Sequence, residues 1–271
     1  MPTFMQSLND QVDLTRAIVT FSLIMARVMA IVILVPFLGG KNAPPEVKMG
    51  IGVTLTMVLW PTVAMSTGGD VPITPLGFVL MMLKETFVGL AIGFVAAEIF
   101  YTVELSGQLI DLLRGANQIQ LQVPEISERS SAFGSLQYQL LLALFLSLNL
   151  HHVVIESLFE SYVAIPINQW PGLHAGYWPF VDHMMRISAN VILTAVTITM
   201  PIGIVCLIVE TAFGLLNRVA PQINAYFMAM PAKVMAGVAV FFFASSMIID
   251  QMLKHAVHML DNVGAVIELL R

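Results

Sequence analysis

Arg27, Lys84, Glu85, Glu98, Glu104, Glu156, Glu160 and Glu210 all fall inside stretches that are otherwise apolar. A charge at membrane depth is expensive and normally faces a protein interior or a water-filled cavity. The chemistry such residues offer is an ion or proton relay, or charge contact with a neighbour. Glu156 and Glu160 are four apart and share one helix face, which suits a relay or a contact with another subunit. Lys84 and Glu85 are sequence neighbours and diverge by about 100° on a helix, so the sequence does not require them to pair. His151 and His152 also diverge, whereas a helix-borne metal site wants ligands three or four apart; no metal site is expected. No nucleophile–base pair, phosphate loop or carboxylate pair stands out. No catalytic residue and no cofactor are therefore expected, and the chain reads as a non-enzyme.

Two other patterns suit packing. Gly89, Gly93 and Ala97 form a small-xxx-small ladder, and Ala232, Ala236 and Ala244 a looser one. Small residues let helix backbones approach closely in lipid, either within the chain or against another subunit. The chain has 18 methionines, Met228, Met230 and Met235 among them. Methionine is flexible and fills irregular gaps; the residues are core filling or a deformable seal around a pore.

The elements that must position these residues are membrane helices. Of 271 residues, 58% are hydrophobic and 11% charged, and the mean hydropathy is +0.85. A soluble domain carries about a quarter charged residues, so membrane proteins are the class that fits. A net charge of −5 gives no basic footprint for nucleic acid. Cys206 is the only cysteine, which leaves no intrachain disulfide framework. The beginning, MPTFMQSLNDQVDLTRA, has no basic n-region leading into an apolar run, and no removable signal peptide is expected.

Six stretches approach the roughly 20 apolar residues of a spanning helix: 17–38, 49–66, 76–106, 135–166, 187–216 and 233–253. The expectation is an all-α, multi-pass membrane protein. Pro36, Pro61 and Pro166 lie near helix ends, and Pro201 is expected to kink the fifth helix. The links are 39–48, 67–75, 107–134, 167–186 and 217–232. Trp170, Tyr177 and Trp178 mark the fourth as interfacial. Lys and Arg concentrate in the first, third and fifth links, which places both termini outside.

With the elements in place, a family resemblance becomes visible. ETAFGLLNRVAPQINAYFMAMPAK (210–233) resembles the signature of the FliR/SctT family, the R subunits of flagellar export gates and the T subunits of virulence injectisomes. VPFLGGKNAPPEVKMGIG (35–52), SGQLIDLLRGANQIQ (106–120) and LFLSLNLHHVVIESLFESYVAIP (144–166) resemble further family segments in family order. Arg114-Gly115-Ala116, Ser130-Ser131 and Ala229-Met230-Pro231 with Lys233 look like the injectisome subunit. Asn149 with His151-His152, and 214–218, look like the flagellar one, but Leu150 stands where the flagellar pattern has glycine. The reading leans to the injectisome T subunit.

The resemblance implies a structural and gating role in a type III protein export channel. The implied location is the bacterial inner membrane. Implied partners are P- and Q-type (R- and S-type) gate subunits, a B/U-type switch subunit, unfolded secreted proteins and membrane lipids. Residues 1–166 would be P-like and 187–271 a Q-like hairpin. In assembled gates such helices stand largely above the bilayer, held by protein neighbours.

The resemblance also places a pore plug in 107–134, of whose 28 residues 13 are Ser, Asn, Gln, Asp, Glu or Arg. A link this long is usually functional or disordered. The plug or gate residues expected from it are Arg114, Gly115, Ala116, Ile119, Leu121 and Val123, where apolar residues alternate with Gln118, Gln120 and Gln122. Met228 and Met230 are the pore-seal candidates. Arg218, Pro221 and Asn224 are expected to fix a turn, Pro221 by stopping the helix and the other two by bonding free carbonyls. Gly89, Gly93 and Ala97 are the candidates for subunit packing. The competing function is a secondary transporter that uses the buried carboxylates for coupling and Pro201 as a helix break.

Overall fold

The computed structural model describes residues 2–39, 43–67, 74–115, 131–172, 176–222 and 224–271. Side chains are described from residue 14 on, Tyr226 excepted. Helices account for nearly all of them, in the order α1 (Pro2–Leu34), α2 (Pro36–Gly39), α3 (Pro45–Thr67), α4 (Pro75–Arg114), α5 (Ala132–Ser147), α6 (Leu150–Ala164), α7 (Tyr177–Val219), α8 (Ala225–Phe243) and α9 (Ser245–Leu270). There is no strand among the described residues. The first four helices each begin at a proline. That position suits it, because the first N–H of a helix has no intrahelical acceptor and φ is already helical.

Four helices are long and apolar enough to cross a membrane, and six spans result if α5 with α6, and α8 with α9, each count as one broken span. At the first break Asn149 takes a left-handed φ of 58°, which asparagine tolerates better than most residues. At the second, the cap residue is Ala244, with neither glycine nor proline to announce it. The expected helix over 233–253 is therefore corrected to two helices covering 225–270.

Other boundaries move outward. Residues 107–114 belong to α4 and 132–134 to α5, so the expected 28-residue link shrinks to 115–131. Within that stretch the polar Asp111 instead bonds from α4 to the start of α5, its Oδ2 accepting from Ser131 Oγ at 2.6 Å. The expected link 217–232 shrinks to the five residues between Val219 and Ala225. Pro231 lies inside α8, Pro61 inside α3 and Pro201 inside an unbroken α7. Tyr177 and Trp178 start α7 instead of lying in a link. The helices α4 and α7, with 40 and 43 residues, are about 60–65 Å long at 1.5 Å per residue. A bilayer core is about 30 Å thick, so neither fits within it end to end.

The chain forms two compact units. One comprises Met1–Ala97, Asn149–Met185 and Met259–Arg271; the other Glu98–Leu148 and Arg186–His258. In the first, Leu23, Ile24 and Val28 of α1, Val88 and Ile92 of α4 and Leu158 of α6 are buried. In the second, Phe100 of α4 stacks edge-on against Phe145 of α5 at 5.3 Å, and α7 buries Thr194, Ala195, Ile198, Ile202 and Cys206. That spacing is the apolar stripe of one helix face. The opposite side of α7 leaves Leu193, Ile204, Leu207 and Ile208 exposed, as lipid or protein neighbours require.

The small-residue ladder is used within the first unit. A Cβ added to Gly89 would meet the Arg27 carbonyl oxygen at 2.5 Å, and one on Gly93 the Ile31 Cα at 3.1 Å; Gly264 has open space around it. Gly89→Val should therefore push α1 from α4 and lower the amount of chain accumulated in membranes severalfold, read by immunoblot. Gly264→Ala should leave it equal or higher, since alanine is the better helix former by about 0.5–1 kcal/mol. The reverse order would refute this packing.

Candidate functional site

Two polar clusters stand out within otherwise apolar surroundings. In the first unit, Arg27 and Glu85 side chains are 0% exposed and paired, Nε to Oε2 at 2.6 Å. Lys84 Nζ pairs with the other oxygen, Glu85 Oε1. As chain neighbours on a helix the two had no required pairing. Two long side chains on one buried helix face still converge at their tips, although their Cβ atoms diverge.

The remaining donors of the two cations go to backbone. Arg27 Nη1 donates to Ser161 O at 2.8 Å and Nη2 to Ile165 O at 2.9 Å. Lys84 Nζ donates to Ile167 O at 2.8 Å and Gln169 O at 3.1 Å. These carbonyls lie at and beyond the C-terminal end of α6, where helix carbonyls lose their partners. Two cations and one carboxylate leave a net positive charge against the negative end of the helix dipole. The Arg27 guanidinium also lies 4.1 Å from the Tyr162 ring centroid, and the Tyr162 hydroxyl donates to Ile24 O at 3.0 Å.

In the second unit, Asp111 joins the end of α4 to the start of α5. Its Oδ2 accepts from Ser131 Oγ at 2.6 Å and from the Phe133 N–H at 3.1 Å. Ser131 Oγ accepts from the Gly134 N–H at 2.8 Å and so caps α5. A carboxylate and a serine together at a helix N-terminus serve its free N–H groups and its positive dipole end. Arg114 Nη1 lies 3.3 Å from Asp111 Oδ1, and its guanidinium sits 4.4 Å from the Phe133 ring centroid. Gly115 follows with φ 79°, a left-handed residue closing α4, where glycine carries no steric cost. Thus residues 115 and 131 are held at the ends of one hydrogen-bonded cluster.

A cavity of about 210 Å³ adjoins this cluster, lined among others by Arg114, Gly115, Glu210, Met230 and Lys233. Lys233 Nζ pairs with Glu210 Oε2 at 3.0 Å. The structure thus brings together Arg114, Gly115 and Met230 of the residues singled out in the sequence. Ala116, Ile119, Leu121 and Val123 lie outside the described residues. Met228 is exposed, as are Arg218 and Pro221. Asn224 accepts from the Phe227 N–H at 3.4 Å as the cap of α8. Gly89, Gly93 and Ala97 are buried.

Glu156 and Glu160 are exposed on α6. No group of three or more His, Cys, Asp or Glu able to hold a metal occurs among the described residues. Asp111 went unnoticed in the sequence, and Ser131 was noticed only for its resemblance to the injectisome subunit and not as a cap. Their signal was available: a serine three residues before Gly134, at the start of an apolar run, is an N-cap pattern.

Removing Asp111 leaves Arg114 without its carboxylate and strips two donors of their acceptor. Asp111→Ala should cost about 2–3 kcal/mol, and Ser131→Ala about 1 kcal/mol. The thermal midpoint of the membrane-extracted protein should fall in that order. A larger loss in Ser131→Ala would mean that the carboxylate is not the tie.

The family model for bacterial export proteins, family 1, matches residues 18–259. The Yop proteins translocation protein T of Yersinia pestis is 28% identical over 218 residues, covering 80% of this chain and 82% of that protein. The flagellar biosynthetic protein FliR of Bacillus subtilis is 24% identical over 228 residues, 84% of this chain and 85% of its own length. The secretion system apparatus protein SsaT of Salmonella typhimurium is 27% identical over 213 residues, 76% and 79% of the two chains.

Proposed function

The chain belongs to the bacterial export proteins of family 1, and from that premise we propose that it is a channel-forming and gating subunit of a type III protein export apparatus in the inner membrane. It passes unfolded proteins and closes the path when idle. The observation that carries this reading is the family match over 18–259. Relatives from both the virulence and the flagellar branches, each aligned over most of its length, support it. The higher identities, 28% and 27% against 24%, fall to the translocation and secretion proteins and favour the injectisome type. Its partners on this reading are the P-, Q- and switch-type subunits of the same gate.

The exposed apolar sides of α7 and α8, Leu207 and Phe243 among them, suit a subunit that buries much of its surface against lipid and other chains. The gating detail rests on the segment after Gly115. Its ends are anchored by the Asp111 cluster, which supports a segment that changes position while the helices beside it stay in place. Residues 114–123 form the plug on this reading, with Met228 and Met230 as apolar seal. A transporter relay gains no support from Glu85, whose two oxygens are taken by Arg27 and Lys84.

Mild detergent extraction should yield the chain in a large hetero-oligomeric complex; recovery only as a monomer or small homo-oligomer would favour the transporter. Within an assembled complex, deletion of 117–123 should leave assembly intact and raise ion conductance in planar bilayers. Conductance equal to that of the intact complex would refute the plug.

A further inference from the structure

Arg114, which lines the cavity, keeps an unmet donor. Arg114 is 8% exposed, and its buried Nε has no hydrogen-bond partner among the described residues. Nη1 is engaged by Asp111, whose second oxygen already serves Ser131 and Phe133. Across the same cavity stands Lys233, whose side chain is 11% exposed while that of its partner Glu210 is 61% exposed. A carboxylate that open to water gives up an ion pair at little cost. Arg114 and Lys233 therefore present two cations to a cavity of about 210 Å³, enough room for one tetrahedral anion.

The position of the cavity indicates which anion. It lies where α4 ends at Arg114, α7 ends at Val219 and α8 begins at Ala225, all at ends of long apolar helices. Arg218 is exposed in the last turn of α7. Leu112, Leu215 and Phe227 expose apolar surface within a turn or two of it. Basic pockets between membrane helices at the interfacial level take phospholipid headgroups, and apolar side chains beside them suit acyl chains.

We propose that this cavity binds the phosphodiester of an anionic phospholipid, with Arg114 and Lys233 as ligands and Glu210 as a competing anion that the phosphate displaces. The site shares Arg114 and Met230 with the plug and seal of the export reading, and lipid retention is read without transport, so either reading can fail alone.

The test uses the full chain extracted in its native assembly, delipidated and titrated with phosphatidylglycerol or phosphatidylcholine in mixed micelles, with retained lipid counted by native mass spectrometry. Phosphatidylglycerol should be retained in preference to phosphatidylcholine. Lys233→Gln should weaken retention about fivefold, with the thermal midpoint unchanged because its partner Glu210 is an exposed carboxylate. Glu210→Gln should strengthen retention. Equal retention of the two lipids, or a Glu210→Gln variant that retains less, would overturn the site. Displacement of the lipid by millimolar inorganic phosphate would overturn the lipid assignment in favour of a free anion. A cross-link from Asn217→Cys, at a residue that also lines the cavity, to an acidic segment of another protein chain, in place of lipid, would overturn it in favour of a protein ligand.

Discussion

Glu85 is the constraint on which the first unit depends. It is fully buried between two cations, and each cation in turn spends its other donors on carbonyls around the end of α6. Desolvating three charges costs several kcal/mol per ion, and only close pairing with every donor satisfied offsets it. The arrangement therefore admits one register of α1, α4 and the stretch after α6. If α1 slid along α4, Arg27 would lose Glu85; if α6 unwound at its end, both cations would lose acceptors. The tight approach at Gly89, directly against the Arg27 backbone, is what lets the guanidinium reach across.

The second unit uses the same device on a smaller scale. Asp111 gathers an arginine, a serine and a backbone N–H, and closes α4 onto α5 across the link from 115 to 131. Around these polar anchors the chain leaves much apolar surface uncovered. A molecule built this way is polar where it must be unique and apolar where it meets neighbours, which fits a subunit of a larger membrane assembly.

The helical class was legible from composition and from the lengths of the apolar runs. The positions of charge inside those runs also marked Arg27, Lys84 and Glu85 as residues that needed partners. What the sequence withheld was the pairing. Lys84 and Glu85 are adjacent, and Arg27 lies 58 positions from Glu85, a separation that no local rule addresses. Helix ends were misjudged where polar residues were taken for loop. Asp111 is polar because it bonds across to Ser131 and Phe133 at the start of α5, and that is invisible without the tertiary contact. The break at Ala244 carries no proline or glycine, so it arises from packing alone. The glycine ladder showed close approach but not its partner, which is α1.

The packing of the first unit rests on Arg27 and Glu85 acting together, and a double-mutant cycle measures that directly. Arg27→Met, Glu85→Gln and the pair together would be compared by thermal or denaturant unfolding of the membrane-extracted protein. Glu85→Gln strands both cations and should cost about 3–5 kcal/mol, whereas Arg27→Met leaves Glu85 its Lys84 partner and should cost less. The double variant, which strands Lys84 alone, should cost less than the sum of the singles by a coupling energy of at least about 2 kcal/mol. Additive losses, with the double variant as unstable as the sum of the singles, would contradict the central role given to this ion pair.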